Sequence, residues 1–221
     1  MASEIKSDVS LENLIDPHLK EKSMAMIKTF SEKALELDRV AMQNTDYLDH
    51  SSERYKSAML LTQQIIDKPT EINAPVNDAI ENLNQMVLDY LSDFVRNLST
   101  FRLWFSLQKP AITDSTIFGA EVMDLIVSTA QSLESMGVEG LSKFSQYSDS
   151  RAKLFVKFYR FPFLDDVGKC IMEMEERQIF FCVQTLTDLR NFYLFIHDIV
   201  VKNFDKLKAP HMGRTFAPNS V

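Results

Sequence analysis

Glycine and proline are scarce in this chain. There are five and seven, together 12 of 221 residues, about 5 % where an average protein carries roughly 12 %. Sandwiches and barrels turn often and depend on these residues, so the shortage argues against an all-β fold. Cysteine is nearly absent, with only Cys170 and Cys182. Twelve positions apart on one helix, they would lie about 18 Å from each other, too far for a disulfide. Two reduced, buried thiols are expected, which suits an intracellular compartment. Basic residues are in deficit, 24 Lys and Arg against 31 Asp and Glu, for a net charge of −7. No basic cluster stands out, which argues against a nucleic-acid partner. Long apolar runs are missing too. Met1 to Ser10 lacks the apolar core of a signal peptide, and even Asn191 to Val201 is broken by His197 and Asp198, so no membrane span is expected.

What is present is a folding composition with helical periodicity. Hydrophobic residues make up 45 % of the chain, including 16 Phe, which excludes disorder throughout. An Asp16-Pro17 start opens a first helix, Asp as cap and Pro at the first helical position, with Leu11, Leu14 and Ile15 as candidates to extend it backwards. Ile27, Phe30, Ala34, Leu37 and Ala41 place an apolar stripe on one face. Residues 44–75 read as a polar connector, long for a bundle loop, with a short helix over Glu53 to Ile66. The second helix has an unbroken near-heptad seam: Val76, Ile80, Leu83, Val87, Leu91, Phe94, Leu98, Phe101 and Phe105. Tyr90 and Trp104 flank it and Pro110 ends it. A third helix spans Ile117 to Arg160, its face marked by Val122, Ile126, Thr129, Leu133, Met136, Phe144, Tyr147, Phe155 and Phe158. Gly137 and Gly140 should weaken it by about 1 kcal/mol each, and Ser145 to Ser150 offers a further break. The fourth helix runs from Phe163 to Lys208 through Leu164, Val167, Ile171, Met174, Phe181, Leu189, Tyr193, Ile196, Val200, Phe204 and Leu207, widened by Phe180, Val183 and Leu186. Pro210 stops it, and residues 209–221 form a tail. Short connectors make sequential helices antiparallel. The fold class is therefore all-α, an up-down four-helix bundle over residues 16–208 preceded by an N-terminal segment, 1–15, with wide faces that suit contact with further neighbours.

Chemistry is thin in this pattern. A di-iron bundle needs Glu-x-x-His, but Ile15, Tyr47, Leu194 and Lys208 stand three residues before His18, His50, His197 and His211. No phosphate loop, nucleophile elbow, zinc pattern or dinucleotide fingerprint occurs. His197 reads as a partly buried core histidine, and both thiols as inert in apolar surroundings. Glu173, Glu175, Glu176 and Arg177 read as the wet face of a helix. The expectation is no catalytic residue, no metal, no cofactor and no enzyme, but a binding or assembly protein.

The C-terminal stretch narrows this. Leu189-Arg190-Asn191-Phe192-Tyr193 leads through Asp198-Ile199 to Lys202-Asn203-Phe204-Asp205-Lys206-Leu207 and Pro210. It resembles the last helix of the 11S proteasome activators (proteasome activator 28, or REG subunits). Pro75-Val76-Asn77 resembles that family's entry to its second helix. Trp104 to Gly119, with Gln108, Pro110, Ile112, Asp114, Phe118 and Gly119, resembles its helix 2–3 junction, so the likeness covers about Pro75 to Pro210. The resemblance implies an ATP-independent activator of the 20S proteasome that forms a heptameric ring, either of one chain or mixed. The C-terminal tails, here ending Asn219, Ser220 and Val221, would dock between the α subunits. An activation loop over 109–119, here Pro110, Ala111, Ile112, Thr113, Asp114, Ser115, Thr116, Ile117, Phe118 and Gly119, would open the gate. The family loop commonly reads Pro-Arg-Ile-Glu-Asp-Gly-Asn-Asn-Phe-Gly, so Asp114 keeps the central acid while Ala111, Thr113, Ser115, Thr116 and Ile117 differ. The Lys/Glu-rich insert of some members is absent. The resemblance implies a cytoplasmic setting and leaves nuclear residence open. The alternative is a helical scaffold or adaptor that oligomerises without opening a gate.

Overall fold

The computed structural model describes residues 19–68, 74–108 and 117–203. Four long helices carry the fold: α1 (Leu19–Asn44), α3 (Asp78–Gln108), α4 (Ile117–Arg160) and α5 (Asp165–Lys202). A 3-10 turn (Thr45–Leu48) and a shorter helix, α2 (Glu53–Asp67), lie between the first two. The expected Asp16-Pro17 start falls outside the described residues.

Side-chain register fixes the topology. Phe30 meets Tyr193, and Asp38 pairs with Arg190, so α1 and α5 run antiparallel. Gly137 lies against Phe94 and Val95 while Gly140 lies against Leu91, so α4 runs back along α3. Phe144 meets Phe181 and Arg151 meets Glu175, which makes α5 antiparallel to α4. This is the expected up-down bundle. Among the described residues α1 and α4 do not pack on each other, while α3 and α5 meet across the middle.

The seams fall largely where periodicity puts them. Ile27, Phe30, Ala34, Leu37 and Ala41 are all buried, as is every position from Ile80 to Phe105 in the α3 series. Phe30, Phe94, Phe101 and Tyr193 form the aromatic centre, with ring centroids 5.1–5.5 Å apart in edge-on or tilted contacts. Such pairs add about 0.5–1.5 kcal/mol each beyond area burial.

The departures have local causes. Val76 is exposed because α3 begins only at Asp78, and Asn77 turns inward instead, its Oδ1 facing the Ile80 N–H at 3.5 Å. Met136 is exposed and Gly137 takes the seam position. A Cβ on Gly137 would sit 2.6 Å from Val95 Cγ2, and one on Gly140 3.0 Å from Leu91 Cδ2. The two glycines therefore let α3 and α4 approach closely and do not interrupt the helix, which also runs unbroken through Ser145–Ser150. Leu164 and Phe180 are exposed. Cys170 is exposed as well, one residue before buried Ile171, and only Cys182 fits the expectation of a buried thiol. The fourth helix is described to Lys202, with Asn203 as its cap, and the expected Phe204, Leu207 and Lys208 lie outside the described residues. Asn203 closes its last turn, donating Nδ2–H to the Ile199 carbonyl at 2.8 Å.

The connector has a structural job. At 1.5 Å per residue α4 is about 66 Å long and α5 about 57 Å, against about 39 Å for α1. With Asp38 opposite Arg190 and α1 ending six residues later at Asn44, α1 stops short of the first turns of α5. α2 takes over there, with Ile66 on Gly168 and Ile65 in a second small core with Phe155, Phe158 and Ile171. Ser52 caps it, its Oγ accepting from the Tyr55 N–H at 3.0 Å.

Candidate functional site

Two ends of this rod differ in character. At one end α3 stops at Gln108 and α4 starts at Ile117. α5 runs parallel to α3: Asn84 pairs with Gln178 and Asn97 with Tyr193, at sequence offsets of 94 and 96. Carried forward, that register sets Lys202, the end of α5, level with residues 106–108. The junction between α3 and α4 and the exit toward the C-terminal tail therefore share one end of the bundle. Leu103, Leu107 and Leu125 are exposed near it. Trp104 is half-buried beside Phe105, and its Nε1 is buried with no partner among the described residues. Arg102 Nε donates to Glu134 Oε2 at 2.7 Å and ties α3 to α4 close by.

At the other end α2 is held by a buried polar cluster. Glu175 on α5 is 0 % exposed. Its Oε1 accepts from Arg151 Nε at 3.0 Å, and its Oε2 accepts from Asn77 Nδ2 at 3.2 Å and from the Thr62 hydroxyl. Arg151 also donates Nη2–H to the Pro75 carbonyl at 2.8 Å and lies 4.6 Å over the Phe155 ring. Asn77 donates to the Ala58 carbonyl at 2.7 Å. One carboxylate thus gathers donors from α2, α4 and the entry to α3. Next to it, Tyr55 donates its hydroxyl to Glu176. Burial, with that hydrogen bond, pushes the Tyr55 phenol up to about 12, and burial raises Tyr147 as well. Glu175 and Glu176 are therefore not wet-face residues. The signal was legible, since Glu175 falls on the inner stripe with Ile171, Met174, Gln178 and Cys182. Reading the run as a charge cluster hid it.

These groups do not make a reaction centre. Every donor around Glu175 is spent on holding helices together. Burial pushes the Cys182 thiol up to about 12, which keeps it protonated and unreactive beside Asn84 and Gln178. Among the described residues no group of three or more His, Cys, Asp or Glu could hold a metal, and no helix is long and apolar enough to cross a membrane. His197 is half-buried on α5.

The model of the family described as proteasome activator PA28, C-terminal, matches residues 73–215. The chain belongs to the PA28 family. It is 26 % identical over 182 residues to proteasome activator complex subunit 3 of Homo sapiens, covering 82 % of this chain and 64 % of that protein. To the Gallus gallus protein of the same name it is 27 % identical over 134 residues, 61 % of this chain and 53 % of the relative. The chain thus spans less than two thirds of the length of these curated relatives. Its fold is similar to that of the 11S subunit of the Plasmodium falciparum proteasome, PA28, with a TM-score of 0.62 at 18 % identity over 89 % of this chain and 95 % of the other.

Of the residues expected to act, three lie among the described residues, at this shared end. Ile117, Phe118 and Gly119 form the first turn of α4. Pro110, Ala111, Ile112, Thr113, Asp114, Ser115 and Thr116 lie outside the described residues, as do Asn219, Ser220 and Val221.

Proposed function

We propose that this PA28-family chain is an ATP-independent activator of the 20S proteasome, working as a ring of subunits, most simply a heptamer of one chain. The observation that carries this reading is the shared end. The register of α3 and α5 brings the end of α3, the start of α4 and the end of α5 to one end of the bundle. A ring could then present tails and junctions together to the α subunits. A single short tail pays to order itself and should bind weakly. Several tails on one rigid ring see each other at high effective concentration, so binding becomes strong without any new contact. Asp114, in the junction, then contacts the α-subunit turn and opens the gate.

Size and co-sedimentation test this reading. The full chain should run as a ring in light scattering and co-sediment with purified 20S proteasome. Removing the residues after Pro210 should leave the ring intact and abolish co-sedimentation. A monomer at micromolar concentration, or a truncated ring that binds as well as the full one, contradicts it. The scaffold reading keeps one observation in its favour, the divergent junction at Ala111, Thr113, Ser115, Thr116 and Ile117. It predicts a ring that binds without stimulating hydrolysis.

A further inference from the structure

The end of the bundle remote from the junction carries an unusual surface. Residues 151–164, RAKLFVKFYRFPFL, hold four basic residues and no acid, in a chain whose net charge is −7. Arg151 is spent inside on Glu175, and Lys153 on Asp149. Lys157 and Arg160 are exposed, and neither has a carboxylate partner among the described residues. Around them lie Val156, 68 % exposed, Phe163, 92 % exposed, and the half-exposed Phe161 and Leu164. The arrangement is built. Val156, Lys157 and Arg160 share the outward face of the last turns of α4, while Phe155 and Phe158 fill the inner face. The Phe161 N–H bonds to the Lys157 carbonyl at 2.9 Å and the Leu164 N–H to the Phe161 carbonyl at 3.2 Å, so the turn is fixed. The Arg160 guanidinium lies 5.4 Å over the Phe161 ring. The two acids that follow are Asp165 and Asp166. They sit at the N-terminus of α5, where the helix dipole offsets their charge, and Asp166 faces Lys169 at 3.6 Å.

We propose that this surface binds polypeptide segments in which acidic and large apolar residues alternate. The apolar side chains would cover Val156, Phe161 and Phe163, and the carboxylates would meet Lys157 and Arg160. Charge decides the occupant. An extended peptide touches only the basic patch, whereas an anionic bilayer or a nucleic acid would also face the acidic remainder of the molecule and be repelled. The patch lies about 60 Å from the start of α4, the rise from Ile117 to Lys157. If the proposed function holds, the patch surrounds the end away from the proteasome, where substrate arrives; the binding itself does not depend on that reading.

Fluorescence anisotropy with the full chain tests it. The probe is a short fluorescein-labelled peptide alternating Glu with Leu and Phe, and the control is the same peptide with Lys for Glu. The acidic probe should bind saturably and weaken with added salt, and the Lys control should not bind. Lys157→Glu with Arg160→Glu should weaken binding about tenfold or more, since each exposed pair is lost and replaced by repulsion. Phe163→Ser should weaken it with the salt dependence retained. Helical content and particle size should not change in either variant. Equal binding of both peptides, no saturable binding, or undiminished binding by the variants overturns the proposal. So does sedimentation with phosphatidylserine vesicles in place of peptide binding, or a change of oligomeric state in the variants, which would make this face a contact between copies. Stimulation of 20S hydrolysis of a short neutral peptide should survive both variants. If the wild-type chain does not stimulate at all, the proposed function has failed and the peptide result still stands or falls separately.

Discussion

Replacing Arg151 by Met removes one partner of a buried charge and leaves the other in place. Glu175 is 0 % exposed and the Arg151 side chain 13 %. Stripping one member from such a pair costs about 3–5 kcal/mol when both are fully buried. Two features lower that here. Thr62 and Asn77 still donate to the carboxylate, and Met keeps part of the packing on Phe155. A loss of about 2–4 kcal/mol is expected, which for a domain of this size lowers the melting temperature by roughly 4–16 °C. Glu175→Gln keeps an acceptor for Thr62 and Asn77 and leaves an Arg151 that can reach water, so it should cost less, about 1–3 kcal/mol. The double variant contains no charge to strand. Its cost should fall short of the sum of the singles by about 1–3 kcal/mol, the coupling of two groups in direct contact. Urea melts followed by far-ultraviolet circular dichroism, at one fixed protein concentration, measure this. Hydrogen exchange should locate the weakening in α2, whose attachment the cluster provides. Additive single-variant costs, or an Arg151→Met protein as stable as the wild type, would refute the cluster as the clamp on α2.

Further outcomes follow from other contacts. Gly137→Ala should destabilise the bundle by about 0–2 kcal/mol, because an overpacking cost of roughly 1–3 kcal/mol against Val95 exceeds the helix-propensity gain of about 1 kcal/mol. A gain in stability would show that α3 and α4 can part without cost. A thiol reagent at neutral pH should label Cys170 alone in the folded protein and both cysteines in denaturant. The folded Cys182 keeps its proton to about 12, while an unfolded thiol releases it near about 8.5. The folded state therefore binds the proton more tightly, and this contribution to stability is complete below about pH 8.5 and is lost as the pH climbs toward 12. Labelling of both cysteines in the native state would contradict the burial. Asp114→Ala should keep the ring and 20S binding yet lose most stimulation of peptide hydrolysis. Undiminished stimulation with stability lowered by about 1 kcal/mol would make Asp114 a helix cap instead.

How much of this was legible in the sequence depended on the kind of residue. Apolar spacing located α3 and α4 because Leu, Ile and Phe at three- and four-residue steps have one place to go. The same rule misplaced Met136, since a methionine scores as core while the true seam residue, Gly137, has no side chain to score. Glu175 was missed for the opposite reason. Its position obeyed the inner periodicity, but its neighbours Glu173, Glu176 and Arg177 made the run look solvated. Its partners Thr62, Asn77 and Arg151 come from three separate segments, and no local pattern joins them. The turn at Phe161–Leu164 shows only as a stop signal in sequence, and its exposed aromatic face needs the fold to be seen. The antiparallel order of the helices implies that α3 and α5 end on the same side, and the structure shows it. The residues expected to act there rest on resemblance to the PA28 family.

The proposed activation of the 20S proteasome without nucleotide is measured by the rate of fluorogenic peptide hydrolysis by purified 20S proteasome with and without this chain, in the absence of ATP. A saturable increase with chain concentration, lost when the residues after Pro210 are removed and not enhanced by ATP, is the predicted result. A chain that assembles and co-sediments with 20S yet leaves the hydrolysis rate unchanged would contradict it.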